Sequence, residues 1–167
     1  MTATFRQRIL VSLQDQQLVL RDGAGPDRVW PVSSAARGAG ALNGSAQTPR
    51  GRHVVRARIG QGLPPGAVLV GRRPTGEIWS PELAAREPNR DWILSRILWL
   101  SGCEPGRNRL GEVDSMRRYI YIHGTPDSEP VGIPGSHGCI RMRNEDVIEL
   151  FDRVAAGTIV DIEEGAL

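Results

Sequence analysis

The chain of 167 residues contains no lysine: all 21 of its basic residues are arginine. Codon bias of the source genome accounts for such a pattern, and a preference for planar, bidentate contacts to carboxylate or phosphate is the functional alternative. The 19 acidic residues are interspersed with the arginines, no basic run develops and aromatics are only 5%. The electrostatic and stacking footprint of a nucleic-acid binder is therefore missing. Two cysteines do not make a disulfide framework in a chain this long. Uninterrupted apolar runs fall well short of the roughly 20 residues of a membrane span. Hydrophobic residues nevertheless amount to 40%, enough for a packed core, and the length fits one domain over residues 1–167.

The start of the chain, Met1 to Arg8, runs directly into Ile9-Leu10-Val11-Ser12-Leu13-Gln14. A secretory leader needs an apolar stretch of about 7–15 residues, and this one is broken by Ser12 and Gln14. Taken as the native start it predicts a cytoplasmic protein; prior removal of a leader would make the protein periplasmic instead.

Glycine (20) and proline (12) are plentiful and punctuate short alternating segments. Ile9 to Leu20 reads as a β-hairpin around Asp15-Gln16-Gln17, and Arg28 to Val32, His53 to Ile59 and Ile159 to Ile162 read as further strands. The apolar run from Asp91 to Leu100 fits a buried strand or a short helix; in a β-rich chain the strand is expected. Tyr119 to His123 alternates, which places His123 on one face with Tyr119 and Tyr121. Ser80 before Pro81 caps a short helix. Asn144 caps a second helix over about 145–154, whose stripe of Val147, Ile148, Phe151 and Val154 has helical spacing. Ser33 to Gly51 reads as a long loop. The predicted fold class is mainly β, with one main C-terminal helix and short helical turns.

Three of the chain's five histidines and cysteines fall between positions 123 and 139. His123 closes a strand before Gly124, and His137 and Cys139 lie in Ser136-His137-Gly138-Cys139-Ile140-Arg141. An imidazole beside a thiol makes thiolate available near neutral pH, and thiolate is the attacking species. Gly138 lets the backbone approach a substrate closely and leaves N–H groups free for an oxyanion. Two plainer readings stand beside this one. A free cysteine is commonly a small buried hydrophobe. His123, His137 and Cys139, with Asp127 or Asp114, also form a set of zinc-ligating residue types, but without a CxxC pair or an HExxH helix.

The His123-Gly124 pair followed by Ser136-His137-Gly138-Cys139-Ile140-Arg141 resembles the signature of the YkuD-type L,D-transpeptidase family. Trp30-Pro31-Val32-Ser33, Thr48-Pro49-Arg50-Gly51 and Gly157-Thr158-Ile159-Val160-Asp161-Ile162 are similar to the family's flanking strands and turn, in the same order. Ser33-Ser34-Ala35 departs from the serine-threonine-glycine usual after the early strand. The resemblance implies a YkuD-like β-sandwich and a cysteine that attacks the peptide bond between an L-centre and a D-residue in peptidoglycan stem peptides or muropeptides. Carried over by position, Cys139 is the nucleophile and His123 the general base. Ser136 and His137 shape the site, partly through backbone carbonyls that orient the base, and the Gly138 and Cys139 amides form the oxyanion hole. Arg141 matches the motif's arginine, either as a carboxylate contact or in an ion pair with Asp or Glu. Gly124, Tyr121 and Arg109 complete the expected substrate contacts; Arg72, Arg73 and Arg107, like Arg109 in turn-rich segments, read first as solvated charge and otherwise as contacts to the carboxylates of a stem peptide. Cys103 reads as a bystander and His53 as structural.

No metal and no cofactor is implied, and carbapenem-type β-lactams are the expected inhibitors. In a cytoplasmic setting the available substrates are recycled tetrapeptides, which favours an L,D-carboxypeptidase that removes terminal D-alanine. Alternatives are an L,D-transpeptidase of the cell wall and a catalytically silent stem-peptide binding module. A histidine-assisted thiolate is expected to alkylate well below the free-cysteine pKa of about 8.5.

Overall fold

The computed structural model describes residues 6–23 and 25–167; Met1 to Phe5, where the reading of the N-terminus begins, lie outside them. Strands β1 (Arg8–Ser12), β2 (Gln17–Arg21) and β3 (Arg28–Pro31) form the expected hairpin and its neighbour. They are followed by β4 (Gly51–Ile59), β5 (Ala67–Val70), β6 (Arg73–Ile78), helix α1 (Pro81–Arg86) and β7 (Ile93–Gly102). The last elements are β8 (Tyr121–Gly124), β9 (Ile140–Met142), helix α2 (Asn144–Arg153) and β10 (Ile159–Glu163).

All ten strands join one sheet, in the order β3-β2-β1-β10-β4-β7-β5-β6, with β8 and β9 added on β7. The sheet curls until Ser33, just past β3, exchanges two backbone hydrogen bonds with Arg141 of β9 (2.9 and 2.8 Å). The expected mainly β fold is thus realised by one strongly curled sheet with two helices. Its interior holds Ile9, Val11, Leu98, Leu100, Ile122, Ile140 and Val160, closed by Val147, Leu150 and Phe151 of α2. Burying each of these large side chains stabilises the fold by about 1.5–3 kcal/mol.

Several local expectations hold for the reasons given. Ser80 Oγ accepts the Leu83 N–H at 3.1 Å, capping α1, and the apolar run after Asp91 is the central strand β7. Two others need correction. Asn144 does not cap α2: it is the first helical residue, and its side chain donates to the Thr125 carbonyl and accepts from Ser95 Oγ. Tyr119 lies outside β8, at a positive φ of 56° and with its side chain exposed, so only Tyr121 shares the strand face of His123. The β5–β6 hairpin sits in a stretch whose alternation was too short to show among its glycines and prolines.

Candidate active site

One strand register brings the signature residues together. β8 and β9 run parallel, with His123 opposite Arg141 and Ile122 opposite Ile140. Cys139, one residue before β9, therefore comes level with Tyr121, whose backbone N–H donates to its sulfur at 3.3 Å. The parallel pairing needs a crossover, and residues 125–139 supply it without a helix.

The turn before the cysteine is tied at several points. Gly138 has φ +135°, and a Cβ there would stand 3.3 Å from the Gln47 carbonyl and 3.4 Å from Ile120, so the position calls for glycine. Buried Thr48 donates through Oγ1 to the Gly138 carbonyl (3.0 Å) and accepts the Ala35 N–H (2.9 Å). The Thr48-Pro49 turn is thus part of the site's support. Ser136, also buried, accepts the Gly138 N–H at 3.2 Å and donates to the Cys139 carbonyl. This corrects the expectation of two free amides: the Gly138 N–H is engaged by Ser136. Among the described residues, the Cys139 N–H donates to no protein group.

His123 is buried, and its Nδ1–H donates to the carbonyl of Gly124 at 2.7 Å. That bond fixes the tautomer with Nε2 as the free acceptor. The His123 imidazole is therefore oriented by the carbonyl of Gly124, its own neighbour, and not by those of Ser136 or His137 as expected. Gly124 itself is packed too tightly for a side chain, since a Cβ would lie 2.5 Å from Asn144 Oδ1 and 2.6 Å from the Leu94 carbonyl. Its role is to orient and pack, which replaces the expected substrate contact.

Cys139, His123, Ser136, His137, Arg141 and Tyr121 all line one cavity of about 510 Å³. Six further residues line it too, Gly71, Arg72, Asp91, Ile93, Arg118 and Tyr119. Arg109 does not: it lies in the turn where its carbonyl accepts the Gly106 N–H, away from the substrate position expected for it. Arg141 is committed to Asp91 (3.2 Å) and to the Gly135 carbonyl (3.1 Å), so the ion-pair alternative is the one realised. His137 stays at the exposed rim, 3.9 Å from the same carboxylate. A second cavity of about 310 Å³ shares Asp91, His137 and Arg141 with the first. No local motif marks Asp91 or Arg118 as part of a site; Asp91 enters through its pairing with Arg141 of β9, and Arg118 through its bonds to the 40–47 loop.

Burial pushes the Cys139 thiol up to about 11, opposed by the Tyr121 N–H and by Arg141 and Arg118, with the Asp91 charge adding to the rise. Burial likewise pushes the His123 imidazole down to about 4, against the Gly124 hydrogen bond. Both shifts favour the neutral forms over the ion pair, the opposite direction to the thiolate expected from the sequence. At rest the thiol S–H donates to the Tyr119 carbonyl at 3.3 Å. Of the remaining candidates, His53 is structural as expected: its Nδ1–H donates to the Gly51 carbonyl and its Nε2 accepts from Ser115 Oγ at 2.8 Å. Cys103 is half-buried and lies off the cavity.

Residues 6–162 match the YkuD family, described as the L,D-transpeptidase catalytic domain, and the chain belongs to that family. Over 43 residues it is 49% identical to the probable L,D-transpeptidase YbiS of Escherichia coli (strain K12), a stretch that covers 26% of this chain and 14% of YbiS. The fold matches the L,D-transpeptidase from Xylanimonas cellulosilytica DSM 15894 with a TM-score of 0.52 at 20% identity, covering 98% of this chain and 63% of that one. It also matches the LD transpeptidase LdtMt1 solved in complex with imipenem, with a TM-score of 0.54 at 16% identity, covering 94% of this chain and 58% of that one. The matched stretch is thus a small part of the curated relative and about three-fifths of each solved chain. Among the described residues, no helix is long and apolar enough to cross a membrane.

Proposed function

We propose that this protein transfers an acyl group from the L,D-peptide bond of a peptidoglycan stem peptide to the sulfur of Cys139 and then to water, acting as an L,D-carboxypeptidase. The observation that carries the reading is the cavity lined by both Cys139 and His123, with Nε2 of the imidazole left free by the Gly124 bond. Membership of the L,D-transpeptidase family supplies the bond type.

As sulfur attacks the carbonyl carbon, the S–H proton passes to Nε2 of His123. The substrate oxygen takes the negative charge, and the unengaged Cys139 N–H is the donor placed to receive it. The Tyr121 N–H, directed at sulfur, stabilises charge there as the proton leaves. Collapse breaks the C–N bond, and the imidazolium returns its proton to the departing amine of the D-residue. Water then adds to the thioester with His123 again taking a proton. The products are a shortened peptide carboxylate and the restored thiol.

An amine in place of water gives transpeptidation by the same acyl-enzyme. The second cavity, which meets the first at Asp91, His137 and Arg141, supports this alternative because it offers room for an acceptor. Incubation of the protein with a disaccharide-tetrapeptide, with and without a D-amino acid, separates the two by mass. Loss of one D-alanine irrespective of the amine is the expected result. Exchange or dimer formation would establish the transpeptidase, and identical traces for wild type and Cys139→Ala would overturn both.

A further inference from the structure

The active-site cavity is lined by three guanidinium groups and one carboxylate, and that carboxylate, Asp91, is taken by Arg141. Arg72 and Arg118 remain. Among the described residues neither has an acidic group within 4.0 Å. Arg118 is spent on neutral acceptors of the 40–47 loop, donating to the Gln47 and Gly40 carbonyls and to Ser45 Oγ. It braces the loop whose Gln47 carbonyl meets Gly138. Arg72 has no such bracing task.

The way Arg72 is presented is unusual. It occupies the tip of the β5–β6 hairpin, where Val70 pairs with Arg73 and the two turn residues, Gly71 and Arg72, have φ of 56° and 64°. A two-residue turn with both φ positive is ordinarily made by asparagine or aspartate and glycine, which occupy the left-handed region at little cost. A long side chain there is disfavoured, and residues held in that region against preference cluster where a side chain has a task. The guanidinium lies 4.5 Å from the Trp99 ring centre and 5.0 Å from that of Tyr119, and donates to the Tyr121 hydroxyl at 3.1 Å. Trp99 and Tyr121 are themselves locked edge to face, 6.3 Å apart at 86°. A cation is thus held on an aromatic platform, oriented and without a counter-ion, on the wall of the cavity that contains Cys139.

We propose that Arg72 is a specificity-determining residue that binds a carboxylate of the acyl donor, so that the protein selects anionic peptides. The inference rests on the acyl-transfer reading above and adds the recognition element to it. Guanidinium on aromatic faces keeps its in-plane N–H groups available, which is the geometry a carboxylate needs. Two carboxylates on a tetrapeptide donor fit this chemistry: the α-carboxylate of the departing D-residue and a side-chain carboxylate on the position-three residue that precedes the scissile bond.

Three synthetic tetrapeptides test it: one with both carboxylates free, one amidated at the C-terminus and one amidated on the position-three side chain. One of the two amides should lower wild-type kcat/KM about 10- to 100-fold, the range for loss of a charge-assisted hydrogen bond, and mainly through KM. In Arg72→Gln the ratio of free acid to that amide should collapse toward one, and Arg72→Lys should restore part of it. Equal turnover of all three peptides by the wild type would overturn the proposal while leaving acyl transfer intact. An acid-to-amide ratio that survives in Arg72→Gln would overturn it as well. Turnover of none of them would overturn the acyl-transfer reading on which it rests.

Discussion

The backbone N–H of Tyr121 reaches the sulfur of Cys139 at 3.3 Å. This contact joins the strand that carries the imidazole to the turn that carries the thiol, and it is produced by the parallel register of β8 and β9. The same sulfur donates to the Tyr119 carbonyl. The sulfur thus has an acceptor for its proton in the Tyr119 carbonyl and, in the Tyr121 N–H, a donor for the charge that develops once the proton is removed.

Alkylation of Cys139 in the free protein should follow that picture. With the thiol pushed up to about 11 by burial, the iodoacetamide rate should keep rising with pH beyond 9. A plateau reached near neutral pH would show a preformed thiolate instead. The predicted activity profile differs from the alkylation profile. kcat/KM should fall as pH drops through about 4, where His123 takes up a proton and Nε2 is no longer an acceptor.

Asp91 raises the thiol's pKa as well as holding Arg141. Removing its charge in Asp91→Asn should shift the Cys139 alkylation profile to lower pH, because a negative neighbour no longer opposes thiolate formation. A shift to higher pH, measured on protein with an unchanged Tm, would contradict the assignment.

Gly138→Ala forces a side chain onto a φ of +135° and against the Gln47 carbonyl. The strain is worth about 1–3 kcal/mol, and relief by moving the turn displaces Cys139. Chemical denaturation should show that loss. Peptide turnover should fall at least 100-fold, in line with roughly that penalty for an ångström of misplacement.

His53 predicts an acid-sensitive fold. Burial holds its imidazole at about 4 against 6.5 when unfolded, so the unfolded chain binds the proton more readily. Stability from this group is present in full above about pH 6.5 and is lost progressively as pH falls toward 4, by up to roughly 3 kcal/mol. His123 shifts in the same direction. The Tm of wild type should therefore drop between pH 6.5 and 4, and His53→Gln should show a shallower drop. Equal slopes would remove His53 from the account.

Much of this arrangement was legible in the residues themselves. Strand alternation, the Ser80 cap and the stripe of α2 are local, and they appear where the spacing places them. The order of the histidine-glycine pair and the serine-histidine-glycine-cysteine run identified the residues that meet in the cavity. What the sequence hid depends on contacts between distant segments. The orienting carbonyl is that of Gly124 because β8 ends against Leu94 and Asn144, and Asn144 is drawn from capping to that same packing. Arg109 and Arg72 look alike as arginines in glycine-rich turns. Only the pairing of β5 with β6 turns one of them over Trp99 and leaves the other outside the cavity. Spacing reports a neighbouring histidine but not the burial that pushes the thiol up and the imidazole down.

The most direct test of the central claim is intact-protein mass spectrometry after incubation with imipenem. Wild type and Cys103→Ala should each gain the mass of one opened β-lactam, mapped by digestion to the peptide containing Cys139, while Cys139→Ala gains none. Wild-type protein that remains unmodified, or carries the adduct on Cys103, would contradict the assignment of Cys139 as the nucleophile.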